Sequence, residues 1–139
     1  MLKNIYGSGL GLRRSFMSEL LEQESKLSMP DFFEVAPENW IGMGGRYKAQ
    51  LAAYSERFPL VAHGLSLSIG GLKSLDTKFI NNIKNFMQQH DIKCYSEHLS
   101  YTNDGGYLYD LLPIPMTEAA VKYVAERIFN NIQLIGIRI

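Results

Sequence analysis

The chain has 139 residues, 46% of them hydrophobic and 20% charged, with 14 Lys+Arg against 14 Asp+Glu. That is enough for one domain with a sizeable core, and a formal charge of zero gives no electrostatic footprint for nucleic acid or an anionic membrane. A single cysteine, Cys94, excludes an internal disulfide; the N-terminal MLKNIYGSGLGLRR lacks the apolar stretch of a secretion signal, and no run is long enough to span a bilayer, so a cytoplasmic protein is expected.

The predicted elements alternate along the chain. GSGLGLR, residues 7–13, is a glycine-rich strand, followed by a helix over 15–27 with Phe16, Leu20, Leu21 and Leu27 on one face. Met29-Pro30 stops that helix, and DFFEVAPEN is the second strand. Residues 45–57 read as a helix carrying Tyr47, Leu51 and Tyr54 at helical spacing. After Pro59, LVAHGLS is the third strand. Asp76 is the expected N-cap of a helix with Phe79, Ile80, Ile83, Phe86 and Met87 on its apolar face. IKCYSEHLS is the fourth strand, and TNDGGYLYDLLPIPM reads as a long loop made rigid by its prolines. Thr117 caps a last helix whose stripe is Val121, Val124, Ala125, Ile128, Phe129 and Ile132, and IGIRI has the composition of a fifth strand.

Strands alternating with helices predict βα units and a parallel sheet, in one domain over residues 1–139 without linker or repeat. Four such units are half of an eight-unit barrel, which usually runs to about 250 residues. An open five-stranded α/β sheet is the alternative that length favours.

Two strands end in His. Because side chains alternate along a strand, Cys94, Ser96 and His98 share one face, as do Val61 and His63. Small residues beneath a His suit a barrel interior with the imidazole at its C-terminal mouth, where sites of such barrels lie. Neutral imidazole is the commonest protein metal ligand, so His63 and His98 are candidates to share a cation. A pair of satisfied structural histidines explains the same residues, and two imidazoles do not close a metal site. Glu34 lies mid-strand among apolar residues, a costly place for a carboxylate unless it is paired, with Arg13 for instance, or belongs to a site. Glu38 and Asn39 follow that strand, where they suit a metal, a substrate or a turn cap.

Other features read as structural. GSGLGLR has Leu12 where a dinucleotide-binding run needs its third glycine, so its glycines more simply give room at a crowded strand. SLSIGG is an anion-binding turn or an ordinary loop. His90, at a helix end, suits the dipole as a cation. Cys94 reads as a small buried apolar residue. No nucleophile–base arrangement has supporting spacing, so no catalytic residue is assigned.

Taken together, GLGLR, FFEVAPENW, HGLSLSIGG, YSEHLSY with DLLPIP, and AERI resemble, in order and spacing, the DUF692 (UPF0276) family of MbnB-like peptide-modifying oxidases. The resemblance runs from about residue 7 to the last helix. It implies a (β/α)8 TIM barrel of the xylose-isomerase-like group with a multinuclear iron site at its mouth. It also implies oxidation of cysteines in a ribosomally made precursor peptide by iron and dioxygen, with a partner protein presenting the peptide. On that pattern His63 and His98 are metal ligands. Glu34, Glu38 and Asn39, with Ser96, Glu97 and Tyr101 of the SEHLSY motif, are site-lining residues. The family's next motif, a strand ending in Glu-Asn, would begin near Gly136, and Ile139 is reached before such a Glu. The expectation is therefore the N-terminal half of the barrel: four βα units and the start of a fifth strand, weak in iron and inactive alone. A complementing C-terminal half, or self-association through open sheet edges as a non-enzymatic binding module, is the alternative partner reading. A metal-dependent isomerase or phosphodiesterase of the wider barrel group is a third.

Overall fold

The computed structural model describes residues 5–23, 28–103 and 107–135, with side chains left undescribed at 107–109 and 131–135. Strands β1 (Gly9–Gly11), β2 (Phe32–Val35), β3 (Leu60–Gly64) and β4 (Tyr95–Glu97) form a parallel sheet in chain order. Helices α1 (Met17–Gln23), α2 (Gly45–Arg57) and α3 (Thr77–Gln89) connect them, and α4 (Glu118–Ile135) follows. Sequential parallel strands with a helix after each are compatible with part of a TIM-type barrel. Among the described residues the sheet is open at β1 and β4. No helix is long and apolar enough to cross a membrane.

The register assigns the two faces. Gly11 pairs with Glu34, Glu34 with Val61, and His63 with Ser96, so these residues share the inner face. Phe33, Val35, Leu60, Ala62 and Tyr95 point the other way and are buried beneath the helices with Met17, Leu51, Ile80, Ile83 and Met87. Phe33 meets Tyr54 and Phe58 edge-on, each at 5.3 Å between ring centroids, and the Tyr54 hydroxyl donates to the Met17 carbonyl at 2.8 Å. This aromatic knot ties β2 to α2 and α1. The Asp76 side chain accepts from Lys78 N and Phe79 N at the start of α3, as its residue type predicts.

The structure corrects several expectations. The first strand is only Gly9–Gly11; a Cβ on Gly9 would collide with the Phe32 ring, so this glycine does give room, whereas one on Gly11 would meet nothing. In the helix expected over 15–27, α1 spans Met17–Gln23, and Leu27 lies outside the described residues, as does the strand expected from IGIRI beyond Ile135. The expected long loop contains an antiparallel hairpin of β5 (Ser100–Asn103) and β6 (Tyr107–Pro113), with Ser100 opposite Pro113 and Tyr101 opposite Leu112. Its prolines suggested a loop, yet Pro113 occupies the strand's last position, where a missing N–H costs little. On α4, Val124 is buried and Ile128 packs on the core, but Val121 and Phe129 are exposed; Ile132 lies outside the described side chains. Cys94 is exposed, not buried, because it faces inward on an open sheet.

His90 is also different from expectation. It caps α3 but is buried, with Nδ1 3.2 Å from Ser55 Oγ and its ring against Phe86. Burial first, and the Lys48 charge second, lower its pKa, so the neutral ring is favoured over a dipole-complementing cation. The unfolded chain then takes a proton at higher pH than the folded one. The stability contributed by neutral His90 is complete above about pH 6.5 and is lost as pH falls through the folded value. Urea titrations are expected to show stability falling between pH 7 and 5, and His90→Gln, which keeps a partner for Ser55, is expected to flatten that fall. Equal slopes in both proteins would refute the assignment.

A candidate metal centre at the mouth of the sheet

His63 occupies the penultimate position of β3, and alternation places it on the inner face. His98 stands one residue past β4, where its N–H donates to Gly64 O at 3.3 Å and keeps the segment against β3. The two Nε2 atoms lie 3.0 Å apart, with ring centroids 4.5 Å apart at 61°. Metal–imidazole bonds are about 2.0–2.1 Å, and two of them at right angles span about 3.0 Å. A separation of 3.0 Å is a hydrogen bond between the two rings, and the same spacing suits one cation held by both. His63 Nδ1 is 2.7 Å from Ser96 Oγ. When Ser96 accepts the Nδ1 proton, Nε2 keeps its lone pair for a metal, the usual role of an outer hydrogen bond on a ligating His. Ser96 is thus joined to His63 by a hydrogen bond.

The pair does not make a complete site. Among the described residues no group of three or more His, Cys, Asp and Glu side chains is arranged to hold a metal. Glu34 is on the inner face, but its register partner is Val61, two residues below His63. It is exposed, so the cost that demanded a partner for it does not arise.

Glu38 and Glu97 act on the loop after β3 instead of on the histidines. Glu38 Oε1 accepts from Leu65 N at 2.7 Å and Ser66 N at 3.0 Å. Glu97 accepts from Tyr95 Oη at 2.7 Å, His98 N at 2.9 Å and Leu67 N at 3.3 Å. Three consecutive amides of this loop therefore end on two carboxylates. Gly64 makes room for this, since a Cβ there would run into the Tyr95 hydroxyl and the Glu97 carboxylate. Burial pushes the Glu97 pKa up to about 7; its three donors pull it down and the Glu38 charge pushes it further up. Burial and then the Glu97 charge raise the Tyr95 phenol. Asn39 is exposed in the 3-10 turn Pro37–Asn39, its backbone N–H donating to Ala36 O. Tyr101 is half-buried in β5. The contacts described for these two residues do not include the histidines.

Sequence reasoning missed a brace on the same loop. Arg127 of α4 donates from Nε to Ile69 O at 2.8 Å, from Nη1 to Lys73 O at 2.7 Å and from Nη2 to Ser68 O at 3.3 Å. The Tyr123 hydroxyl donates to Gly71 O at 2.7 Å. Ser68 sits at φ 54°, a strained value for a non-glycine residue. Its Oγ accepts from Thr102 N and Asn103 N, tying the loop that follows His63 to the hairpin that follows His98. The signals were AERI, read only as part of the family resemblance, and SLSIGG, read as an anion-binding turn or an ordinary loop.

A family model described as RiPP precursor modification enzyme MbnB/TglH/ChrH matches residues 7–139. A UPF0276 protein of Acinetobacter baylyi is 58% identical over 99% of this chain and 47% of its own length. Others, from Alcanivorax borkumensis and Pseudomonas aeruginosa, are 54% and 49% identical, each over 89% of this chain and 42% and 43% of their own lengths. The chain thus spans under half the length of these curated relatives.

Proposed function

The chain belongs to the MbnB/TglH/ChrH family of RiPP precursor modification enzymes, and on that premise we propose that it carries the N-terminal half of the site of a multinuclear non-haem iron, dioxygen-dependent oxidase. Its substrate class would be the cysteines of a ribosomally made precursor peptide, handled in the cytoplasm and presented by a partner protein. The observation that carries this reading is the convergence of His63 Nε2 and His98 Nε2 at 3.0 Å on the inner face. Bound iron would supply the redox chemistry by which dioxygen oxidises a thiol.

The chain's own residues have definite tasks. His63 and His98 would hold two positions of the metal, and Ser96, 2.7 Å from His63 Nδ1, would set the His63 tautomer. The braced loop over residues 65–73 walls the mouth beside them. Coordination normally needs four or more ligands, so the remainder must come from outside these residues. A C-terminal half, in this polypeptide or another, is the proposed source. The expected iron affinity of this chain alone is low.

The test is metal content. The protein is prepared anaerobically with Fe(II), and iron is measured in the monodisperse fraction beside the His63→Ala/His98→Ala variant. Iron present in the wild type supplied with a C-terminal half, and lost when the folded variant replaces it, is the expected result. Equal iron in both, or none in a folded wild type supplied with a C-terminal half, would sink the proposal.

A second reading rests on exposed apolar groups. Leu10 at β1, and Val121 and Phe129 on α4, stand 46%, 68% and 66% exposed. They suit a non-enzymatic module that associates through its open sheet edges. It predicts a stable oligomer whose mass is unchanged by the double histidine substitution; a monomer at micromolar concentration would exclude it.

A further inference from the structure

On the outer side of the sheet, away from His63 and His98, α2 and α3 leave a cavity of about 380 Å³ between them. Its floor is apolar: Trp40, Leu51 and Phe86, all buried. Its rim is polar. Asn82, Asn85 and Gln89 line it from α3, and Lys48 lines it from α2. None of these four side chains has a hydrogen bond or ion pair among the described residues. The volume lies in the range of ligand sites.

The rim chemistry selects a ligand. Asn82, Asn85 and Gln89 stand at i, i+3 and i+7, so they share one face of α3. At 1.5 Å per residue they span about 10 Å, the length of about three residues of extended chain. Each carboxamide offers a donor and an acceptor, the complement of a peptide unit's C=O and N–H. Lys48 is the one charged side chain on the rim, and His90 at the far end is held neutral, so the field favours a carboxylate. The family acts on a peptide, and a peptide needs holding at a distance from the bond that reacts.

We propose that the groove between α2 and α3 docks an acidic, extended segment of the peptide substrate, with Asn82, Asn85 and Gln89 pairing its main chain and Lys48 its carboxylate. This rests on the peptide-modifying reading above but not on the metal. The probe is an acetylated and amidated pentapeptide, Ala-Asp-Val-Asp-Ala, titrated into the ¹⁵N-labelled chain. The side-chain amide signals of Asn82, Asn85 and Gln89 report binding. Saturable shifts of all three are expected, weakened about tenfold by Lys48→Glu, an exposed substitution that leaves the fold intact. The same peptide with Lys in place of Asp is expected not to shift them.

No saturable shift, equal binding of acidic and basic peptides, or shifts confined to His63, Ser96 and His98 would each overturn the proposal. Iron content measured on the same samples separates the two readings. Peptide binding by a wild type that takes up no iron even when supplied with a C-terminal half leaves the groove standing and removes the oxidase, and iron without peptide binding does the reverse.

Discussion

Replacing Arg127 with Ala is expected to cost about 3 kcal/mol of stability and to weaken the metal binding proposed above about tenfold, although Arg127 contacts neither His63 nor His98 in the hydrogen bonds described. Its guanidinium donates to the carbonyls of Ser68, Ile69 and Lys73 and touches the Tyr123 hydroxyl. Hydrogen bonds to a charged group contribute about 1.5–3 kcal/mol each, and truncation leaves carbonyls unpaired. The site is only partly buried and the bonds share one donor group, so the sum is discounted to about the contribution of one or two. The metal effect follows from position: the loop Arg127 braces starts two residues after His63, and Ser68 within it holds the strand that starts two residues after His98. Loss of supports outside the ligand sphere typically weakens metal binding about 10–100-fold. Arg127→Lys is expected to recover less than half of the stability, since one ammonium cannot reproduce a fork aimed at three carbonyls. Urea unfolding and a metal titration read both effects. Wild-type behaviour of Arg127→Lys would show that charge, not geometry, is what the loop needs.

Glu38 gives the second large effect. Glu38→Ala is expected to cost about 2–3 kcal/mol, because Leu65 N and Ser66 N lose the acceptor they have among the described residues and each stranded N–H costs about 1–3 kcal/mol. Both residues are half-buried, which places the sum at the low end. Glu38→Gln separates hydrogen bonding from charge. It retains a carbonyl oxygen for the two amides and puts an NH₂ where Oε2 is buried without a partner. The expected loss for Gln is under about 1 kcal/mol. A Gln variant as unstable as the Ala variant would mean that the negative charge itself is required, and the assignment of Glu38 to loop support would fall.

These two residues also show how far the sequence could be read. Glu38 was singled out as site-lining because it follows a strand, and the structure does bring it to the mouth, but as a support for the loop over residues 65–73. Its partners are backbone amides nearly thirty residues away, and no local pattern names a backbone partner. Arg127 sits in a helix that was read through its apolar stripe, and it entered the sequence reading only as part of the AERI motif. Glu34 seemed a buried carboxylate because its strand neighbours are apolar; burial on one face of an open sheet said nothing about the other.

The order of the four parallel strands and of the four helices was readable from the sequence by itself. So were the parity that puts His63, Ser96 and His98 on one face, the Asp76 cap and the apolar face of α3. Each depends on the 2.0- and 3.6-residue periods of the backbone and on side-chain contacts with immediate neighbours. The tertiary structure alone decided the hairpin in place of a loop, the neutral state of His90, the 3.0 Å approach of the two imidazoles and the bracing of their loop by Glu38, Glu97 and Arg127. These depend on desolvation and on hydrogen bonds between distant segments, which come into being only when the chain has folded.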